Sequence, residues 1–394
     1  MATPVYSDVI IVGAGPVGAA LCHALALRGL TVAVVDAKRA ASGTVGVRTS
    51  ALTQVSCQWL GTQGLWPLSG LEAAPLRALQ VLDRSGHGRV RFDSRDLGLE
   101  DLGVIVDHGG LETLLRARAR AAPGVKWHDD SAQRVTVRER AAEVILSGGS
   151  TLHGSLLIVA DGAQSQLREQ LGVPVWQHHY GQTAICANIQ LGKAHQGVAW
   201  QRFLSTGPLA LLPLPDPSQS SLVWSTTTPA AERLRSLSDP EFGAALTEAF
   251  GSELGALQPL SVRAHFPLVA SHAEHYVGSR FALVGDAAHR AHPLAGQGVN
   301  LGFADSQVLA ETLLGRDRDS DVGNRRLLRR YERARKAANL SMLLATDALN
   351  RLLCNEARWL GQILTIGLNV TDTLGPLKTF FMNQAGARPP SSLS

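Results

Sequence analysis

The feature that most constrains this chain is a glycine-rich turn set between two β-branched runs near its start. Asp8-Val9-Ile10-Ile11-Val12 is short, apolar and unbroken, the pattern of a strand buried on both faces. Gly13-x-Gly15-x-x-Gly18 follows it. Apolar residues then recur at Val17, Ala20, Leu21, Ala24 and Leu25, which is helical spacing, and Gly29 closes that helix. Thr31-Val32-Ala33-Val34-Val35 is a second strand, ended by Asp36. One βαβ unit of about 30 residues thus puts the turn at a helix N-terminus. There the first glycine permits the tight turn, the second lets a pyrophosphate approach the backbone, and the third lets helix and strand pack closely. The helix end favours a diphosphate, and Asp36 is placed to accept hydrogen bonds from a ribose. Gly13, Gly15, Gly18 and Asp36 are therefore candidate dinucleotide-binding residues. This motif alone does not separate FAD from NAD(P).

Composition narrows the field mainly by exclusion. At 394 residues the chain can bury roughly three quarters of its unfolded surface, so no disulfide or metal staple is required. Its net charge of +4 comes without a long Lys/Arg run, which argues against nucleic-acid binding. Weak attraction to an anionic membrane surface stays open. Cys22, Cys57, Cys186 and Cys354 include no Cys-x-x-Cys pair and read as reduced thiols of a cytoplasmic protein. No signal peptide is visible, and no apolar run reaches the roughly 18 residues of a spanning helix.

Further along, helices are expected from Ser50 to Leu60, beginning with Arg48-Thr49-Ser50, and from Leu111 to Ala121. Strands are expected near Val81 to Phe92, Val135 to Leu146 and Leu156 to Ala160. Between Pro174 and Thr228 the pattern alternates, as at Ile185, Ala187, Ile189 and Leu191, which suggests a half-exposed antiparallel sheet. Phe281-Ala282-Leu283-Val284 reads as another strand, a helix follows Asn300, and the chain from Arg325 onward reads as mainly helical.

Two further motifs follow strands: Ala160-Asp161-Gly162-Ala163-Gln164-Ser165-x-Leu167-Arg168 and Gly285-Asp286-Ala287-Ala288-His289. Singly, each is a common turn. As an ordered set with Gly13-x-Gly15-x-x-Gly18, they resemble the single-component flavin aromatic hydroxylases. His292-Pro293-Leu294-Ala295-Gly296-Gln297-Gly298-Val299-Asn300-Leu301-Gly302 narrows that resemblance to the ubiquinone-biosynthesis hydroxylase branch. So do Gln201-Arg202-Phe203, Gly207 to Leu214, Leu222-Val223-Trp224-Ser225 and Tyr331-Glu332-Arg333-x-Arg335. The similarity runs to about Gln384.

The resemblance implies an α/β protein: a Rossmann-like FAD-binding fold, an inserted antiparallel-sheet substrate domain and C-terminal helices. On that basis residues 1–80, 101–173 and 276–320 are expected to form the FAD-binding domain. Residues 81–100 and 174–275 would form the substrate domain, and 321–394 the C-terminal helices and tail. FAD is the implied cofactor and NAD(P)H the electron donor. Asp286 is implied to bond a ribityl hydroxyl, Asp161 and Arg168 to support FAD and transient NAD(P)H, and Arg48 to meet the diphosphate. Pro293, Gly296, Gly298, Val299 and Asn300 read as a backbone cradle for the anionic edge of reduced flavin. One departure is Val106-Asp107-His108, where members often read Val-Glu-Asn.

The implied reaction is ring hydroxylation of a polyprenylphenol by oxygen activated on reduced flavin. Asp83 to Gly88 leans toward 2-polyprenyl-6-methoxyphenol, with the unmethoxylated polyprenylphenol as the alternative. No catalytic base is assigned. No metal is expected, because His289 and His292 lack a third ligand in view. Trp200, Phe203, Leu211 and Trp224 suit a prenylated ring, though ordinary core is an equal reading. Trp359 to Leu368 leave contact with a membrane or with partner hydroxylases open, with packing inside the monomer the blander reading. A non-catalytic FAD-bound subunit and a plain NAD(P) dehydrogenase remain as alternatives. A flavin halogenase is disfavoured, because Trp-x-Trp-x-Ile-Pro is absent.

Overall fold

The computed structural model describes residues 6–37, 46–84, 87–292, 298–317 and 320–353. Its organising element is the apolar strand Tyr6–Val12, in which Val9, Ile10 and Ile11 are fully buried. Residues this apolar each gain about 1.5–3 kcal/mol from burial and so select the middle of a sheet covered on both faces. Val32–Val35 and Thr151–Val159 flank the strand in parallel. Phe281–Leu283 continues the sheet beyond Thr151–Val159, and Val125–His128 continues it beyond Val32–Val35. Register aligns the strand ends: Val12 pairs with Val35 and with Val159, and Val159 pairs with Leu283. The turns that start at Gly13, Asp36, Ala160 and Val284 therefore leave the sheet side by side, at the carboxyl edge where open α/β sheets bind ligands.

Helices Pro16–Ala26, His108–Arg120 and Gly298–Leu314 pack together beside this sheet, and Arg325–Leu353 packs on the last of them. The helix expected from Leu111 starts at His108, because the Asp107 carboxylate accepts from the Gly110 N–H at 2.5 Å and caps it. The expectation of a helix from Ser50 is corrected. Thr49–Thr53 is a strand, paired residue for residue with Gly103–Asp107, and the helix runs over Gln54–Thr62. Thr49, Ser50 and Thr53 are weak helix formers while Ala51 and Leu52 are strong ones, so local propensity is mixed and a pairing partner decides the state, burying Ser50 and Leu52 on one face.

A second, nine-stranded sheet holds the alternating segments. The long strand Val175–Leu191 lies between Ala264–Ala273 and Gln219–Thr227. Gly207–Pro213, Val198–Leu204, Ala78–Leu82 and Arg89–Asp93 follow outward in that order. Helices Thr228–Ser236 and Asp239–Phe250 cover one face, closing a separate core in which Ile185, Leu211, Leu222 and Trp224 meet Phe242, Leu246 and Phe250. Cys22, Cys57 and Cys186 are free and buried, and Cys354 lies outside the described residues.

Candidate functional site

The three glycines of the first turn do different work. Gly13 has φ +93, and a Cβ on it would run into the Ala160 carbonyl. A Cβ on Gly18 would strike the carbonyl of Gly13. Both are required by the protein's own packing. Gly15 is not, since a Cβ there would meet nothing within 4 Å. It caps the Pro16–Ala26 helix without any side-chain hydrogen bond. Among the described residues, nothing in the protein's packing therefore requires glycine at this position.

Beside it lies a cleft of about 210 Å³, lined among others by Gly13, Asp36, Asp161 and Gln164. Asp36 Oδ1 accepts from the Ala14 N–H at 2.9 Å, and its other oxygen pairs with the guanidinium of Arg116. Asp161 is a largely buried acid whose Oδ1 accepts no hydrogen bond among the described residues; burial pushes the carboxyl up from its ordinary range, against a hydrogen bond from Ser165. An open helix N-terminus, an acid at the end of the second strand and a bare acceptor fit the adenosine diphosphate half of FAD.

The second half of the site is built around a residue that the sequence reading passed over. Asp305, fully buried on the Gly298–Leu314 helix, accepts from the Gly285 N–H at 3.1 Å, Arg335 Nε at 2.8 Å and Asn339 Nδ2 at 3.0 Å, and meets His289 Nε2 at 2.6 Å. Burial by itself would raise this carboxyl, but the pairing with His289 and Arg335 outweighs it and holds the group below the usual carboxylate range. Asp305 thereby fixes the turn that presents the half-buried Asp286. The signal was available: an acid stands among Leu301, Val308 and Leu309 on an apolar helix face.

Arg168 is buried, and its guanidinium donates to the carbonyls of Ala287 at 2.9 Å and Ala163 at 3.3 Å. It ties the Asp161 and Asp286 turns together. Asn300 also braces the site. Its Oδ1 accepts from the Thr53 N–H at 3.0 Å and the Ser56 hydroxyl at 2.8 Å, while Nδ2 donates to the Ala51 carbonyl at 2.7 Å. Its side chain is thus committed within the protein, and with Gly298 and Val299 it stands in the first turn of the helix. Pro293 and Gly296 lie outside the described residues. Arg48 is exposed and precedes a strand rather than a helix, and its carbonyl accepts from the His108 N–H at 2.9 Å. His108, at the departure from the family pattern, meets the Ser50 hydroxyl through Nδ1 at 2.8 Å.

The expected substrate residues divide by strand parity. Trp200, Leu211 and Trp224 face the covering helices: Trp200 meets Phe250 with ring centres 6.2 Å apart, and Trp224 meets Phe242 at 6.1 Å. That resolves these three as core. Phe203 points to the other face, with Val81 and Val90. The strand Thr49–Thr53 and the turn before it meet that opposite face, where Thr49 Oγ1 donates to Ser221 Oγ at 3.0 Å and Asn188 Nδ2 to the Gly46 carbonyl at 2.9 Å.

The fold matches p-nitrophenol 4-monooxygenase from Pseudomonas putida with a TM-score of 0.79 and 16% identity, covering 98% of this chain and 100% of that one. It also matches Klebsiella pneumoniae HpxO complexed with FAD and uric acid, with a TM-score of 0.77, 20% identity and 97% coverage of both chains. Residues 6–345 match a family model described as an FAD binding domain. The class is thus that of an FAD-dependent monooxygenase. Across 98% of its length the chain is 36% identical to the ubiquinone hydroxylase UbiL of Rhodospirillum rubrum, covering 92% of that protein. It is 34% identical to the mitochondrial ubiquinone biosynthesis monooxygenase COQ6 of Mus musculus, over 95% of this chain and 90% of that one. The chain belongs to the flavin monooxygenase family that these ubiquinone-biosynthesis enzymes represent.

Proposed function

We propose that the chain hydroxylates the aromatic ring of a polyprenylphenol on the route to ubiquinone, with 2-polyprenyl-6-methoxyphenol as its preferred substrate. The observation that carries this reading is near full-length similarity to two enzymes named for ubiquinone formation. On this reading Gly13, Gly15 and Gly18 face the FAD diphosphate, Asp36 the ribose and Asp286 the ribityl chain. Asp161 offers its bare oxygen at the same edge, and Arg48 adds charge for the diphosphate. The first turn of the Gly298–Leu314 helix, at Gly298, Val299 and Asn300, stabilises negative charge on the ring system through the partial positive charge of the helix end. Bound FAD, reduced by NAD(P)H, supplies the oxygen activation. The protein's share is to orient the phenol and keep water out.

The division into FAD-binding segments 1–80, 101–173 and 276–320, substrate segments 81–100 and 174–275, and C-terminal helices from 321 belongs to the same reading. Most strands of 174–275 share the nine-stranded sheet, which favours it, although Ala78–Leu82 crosses the boundary at 80 and His289–Arg290 pairs with that sheet from 276–320. So does peripheral contact with a membrane that holds the prenylated substrate. The exposed Leu340, Leu344, Leu349 and Leu352 on the Arg325–Leu353 helix favour it. Among the described residues no helix is long and apolar enough to cross a membrane.

The test is turnover by purified holoenzyme with NADPH and each of the two phenols, with products weighed by mass spectrometry. Hydroxylation of the methoxylated phenol at the higher kcat/KM supports the reading. Turnover of the unmethoxylated phenol alone reassigns the ring carbon. NADPH consumption with neither phenol hydroxylated removes the ubiquinone assignment.

A further inference from the structure

The acid that ends the second strand is held from behind. Asp36 is only 5% exposed and lines the nucleotide cleft. Its Oδ2 is closed to solvent and forms an ion pair with the Arg116 guanidinium. Its Oδ1 accepts from the Ala14 N–H at 2.9 Å, in the glycine turn that lines the same cleft through Gly13. A carboxylate oxygen carries two lone pairs, so Oδ1 keeps one for a ligand in the cleft. Arg116 thus takes the inner oxygen and leaves the outer one.

Arg116 belongs to none of the glycine or acid motifs. It stands on the helix His108–Arg120, and its guanidinium lies over the Trp127 ring, 5.6 Å from the ring centre. Glu112, one turn back, is 3.6 Å away. Arg120, one turn on, lies over the same ring at 5.6 Å and pairs with Asp129 at 2.9 Å. Trp127 belongs to the strand Val125–His128, whose His128 carbonyl accepts from the Asp36 N–H at 3.1 Å. One strand therefore fixes both the backbone of the acid and the ring on which its counter-ion rests. A carboxylate this buried needs a counter-charge, and a diphosphate at the same edge would bring further negative charge. Arg116 supplies the positive charge without entering the lining of the cleft.

We propose that Arg116 is a positioning residue for the adenosine end of the cofactor: it fixes the Asp36 carboxylate and offsets its charge, so that Oδ1 is aimed at the ribose 2′-hydroxyl. The proposal rests on the reading of Asp36 as the ribose acceptor and assigns the residue that makes it one. Without the guanidinium, the buried carboxylate loses its partner and turns toward water.

The experiment titrates full-length protein stripped of FAD with FAD and with the analogue whose adenosine lacks the 2′-hydroxyl, following the quenching of flavin fluorescence. Wild type is expected to bind FAD about ten- to hundredfold more tightly than the analogue. Arg116→Gln should cut that preference to about threefold or less, because Asp36 is no longer aimed. Arg116→Lys keeps the charge and should retain most of the preference. If Arg116→Gln does not fold, Trp127→Leu decides in its place: it frees the guanidinium and leaves both charges, so a narrowed preference supports the proposal and an undiminished one overturns it. Equal weakening of both ligands in Arg116→Gln, with their ratio intact, would show that Arg116 only braces the fold. That would overturn the proposal while Asp36 keeps its role. Wild type binding both ligands equally would remove the ribose contact of Asp36 and the proposal with it, without touching the phenol reading.

Discussion

At the scale of single residues, the two glycines at the start of the first helix make opposite predictions. Gly18→Ala drives a methyl into the Gly13 carbonyl and should destabilise the cofactor-free protein by about 1–3 kcal/mol in urea melts. Gly15→Ala meets nothing in the protein, so the cofactor-free melt should match wild type while FAD affinity falls. Equal FAD affinity in Gly15→Ala would show that the open space serves something else. Asp286→Ala should remove a charge-assisted bond of roughly 1.5–3 kcal/mol. FAD dissociation, followed by the return of flavin fluorescence, should strengthen about 10- to 100-fold, and full FAD occupancy at low free FAD would refute the role. These residues were legible in the sequence because each motif encodes a local backbone need. Asn300 was legible as a member of the site but not as a brace, since its partners Ala51, Thr53 and Ser56 lie more than 240 positions away.

At the scale of elements, contact between distant segments decides what local pattern cannot. The strand Thr49–Thr53 exists because Gly103–Asp107 pairs with it. The alternation at Trp200, Leu211 and Trp224 was readable as a two-faced sheet, but which face met helices depended on where Asp239–Phe250 folds back. Asp305 shows how two helices and a turn depend on one carboxylate. Asp305→Ala leaves Arg335 and His289 without their counter-charge and should cost about 3–5 kcal/mol. Its pKa is depressed in the folded state, so its stabilisation is full above the ordinary carboxylate pKa. It is lost as pH falls through the lower folded value. A pH series of melting temperatures should therefore show a steeper acid decline in wild type than in Asp305→Asn. Parallel declines would show that the network carries no net charge coupling.

For the molecule as a whole, the parallel sheet draws strands from both ends of the chain. Tyr6–Val12 and Phe281–Leu283 are its near neighbours through Thr151–Val159, while the nine-stranded sheet is made mostly of the residues between. On the proposed reading, FAD held at the shared carboxyl edge would tie these distant segments together. Saturating FAD at about 100 times its dissociation constant should raise stability by about 2.7 kcal/mol. That gain should be read as one upward-shifted melting transition, and an FAD-insensitive melt would place the cofactor outside the cooperative unit. The fold class was legible because strand, turn and acid recur as a unit. The joining of the two sheets was not, because nothing local encodes which distant strands share an edge.

The same interleaving has a meaning in time. Synthesis is vectorial, and a ribosome delivers Gly13 almost at once but Gly285 and the helix at Gly298 only after nearly three quarters of the chain has emerged. Until then the first turn is half of a binding site, with Asp305 and Asn300 still unmade. A cofactor that needs both parts of this edge is therefore expected to load only once Gly285 and the helix at Gly298 have been made, which would make loading a checkpoint on translation rather than an early guide to folding.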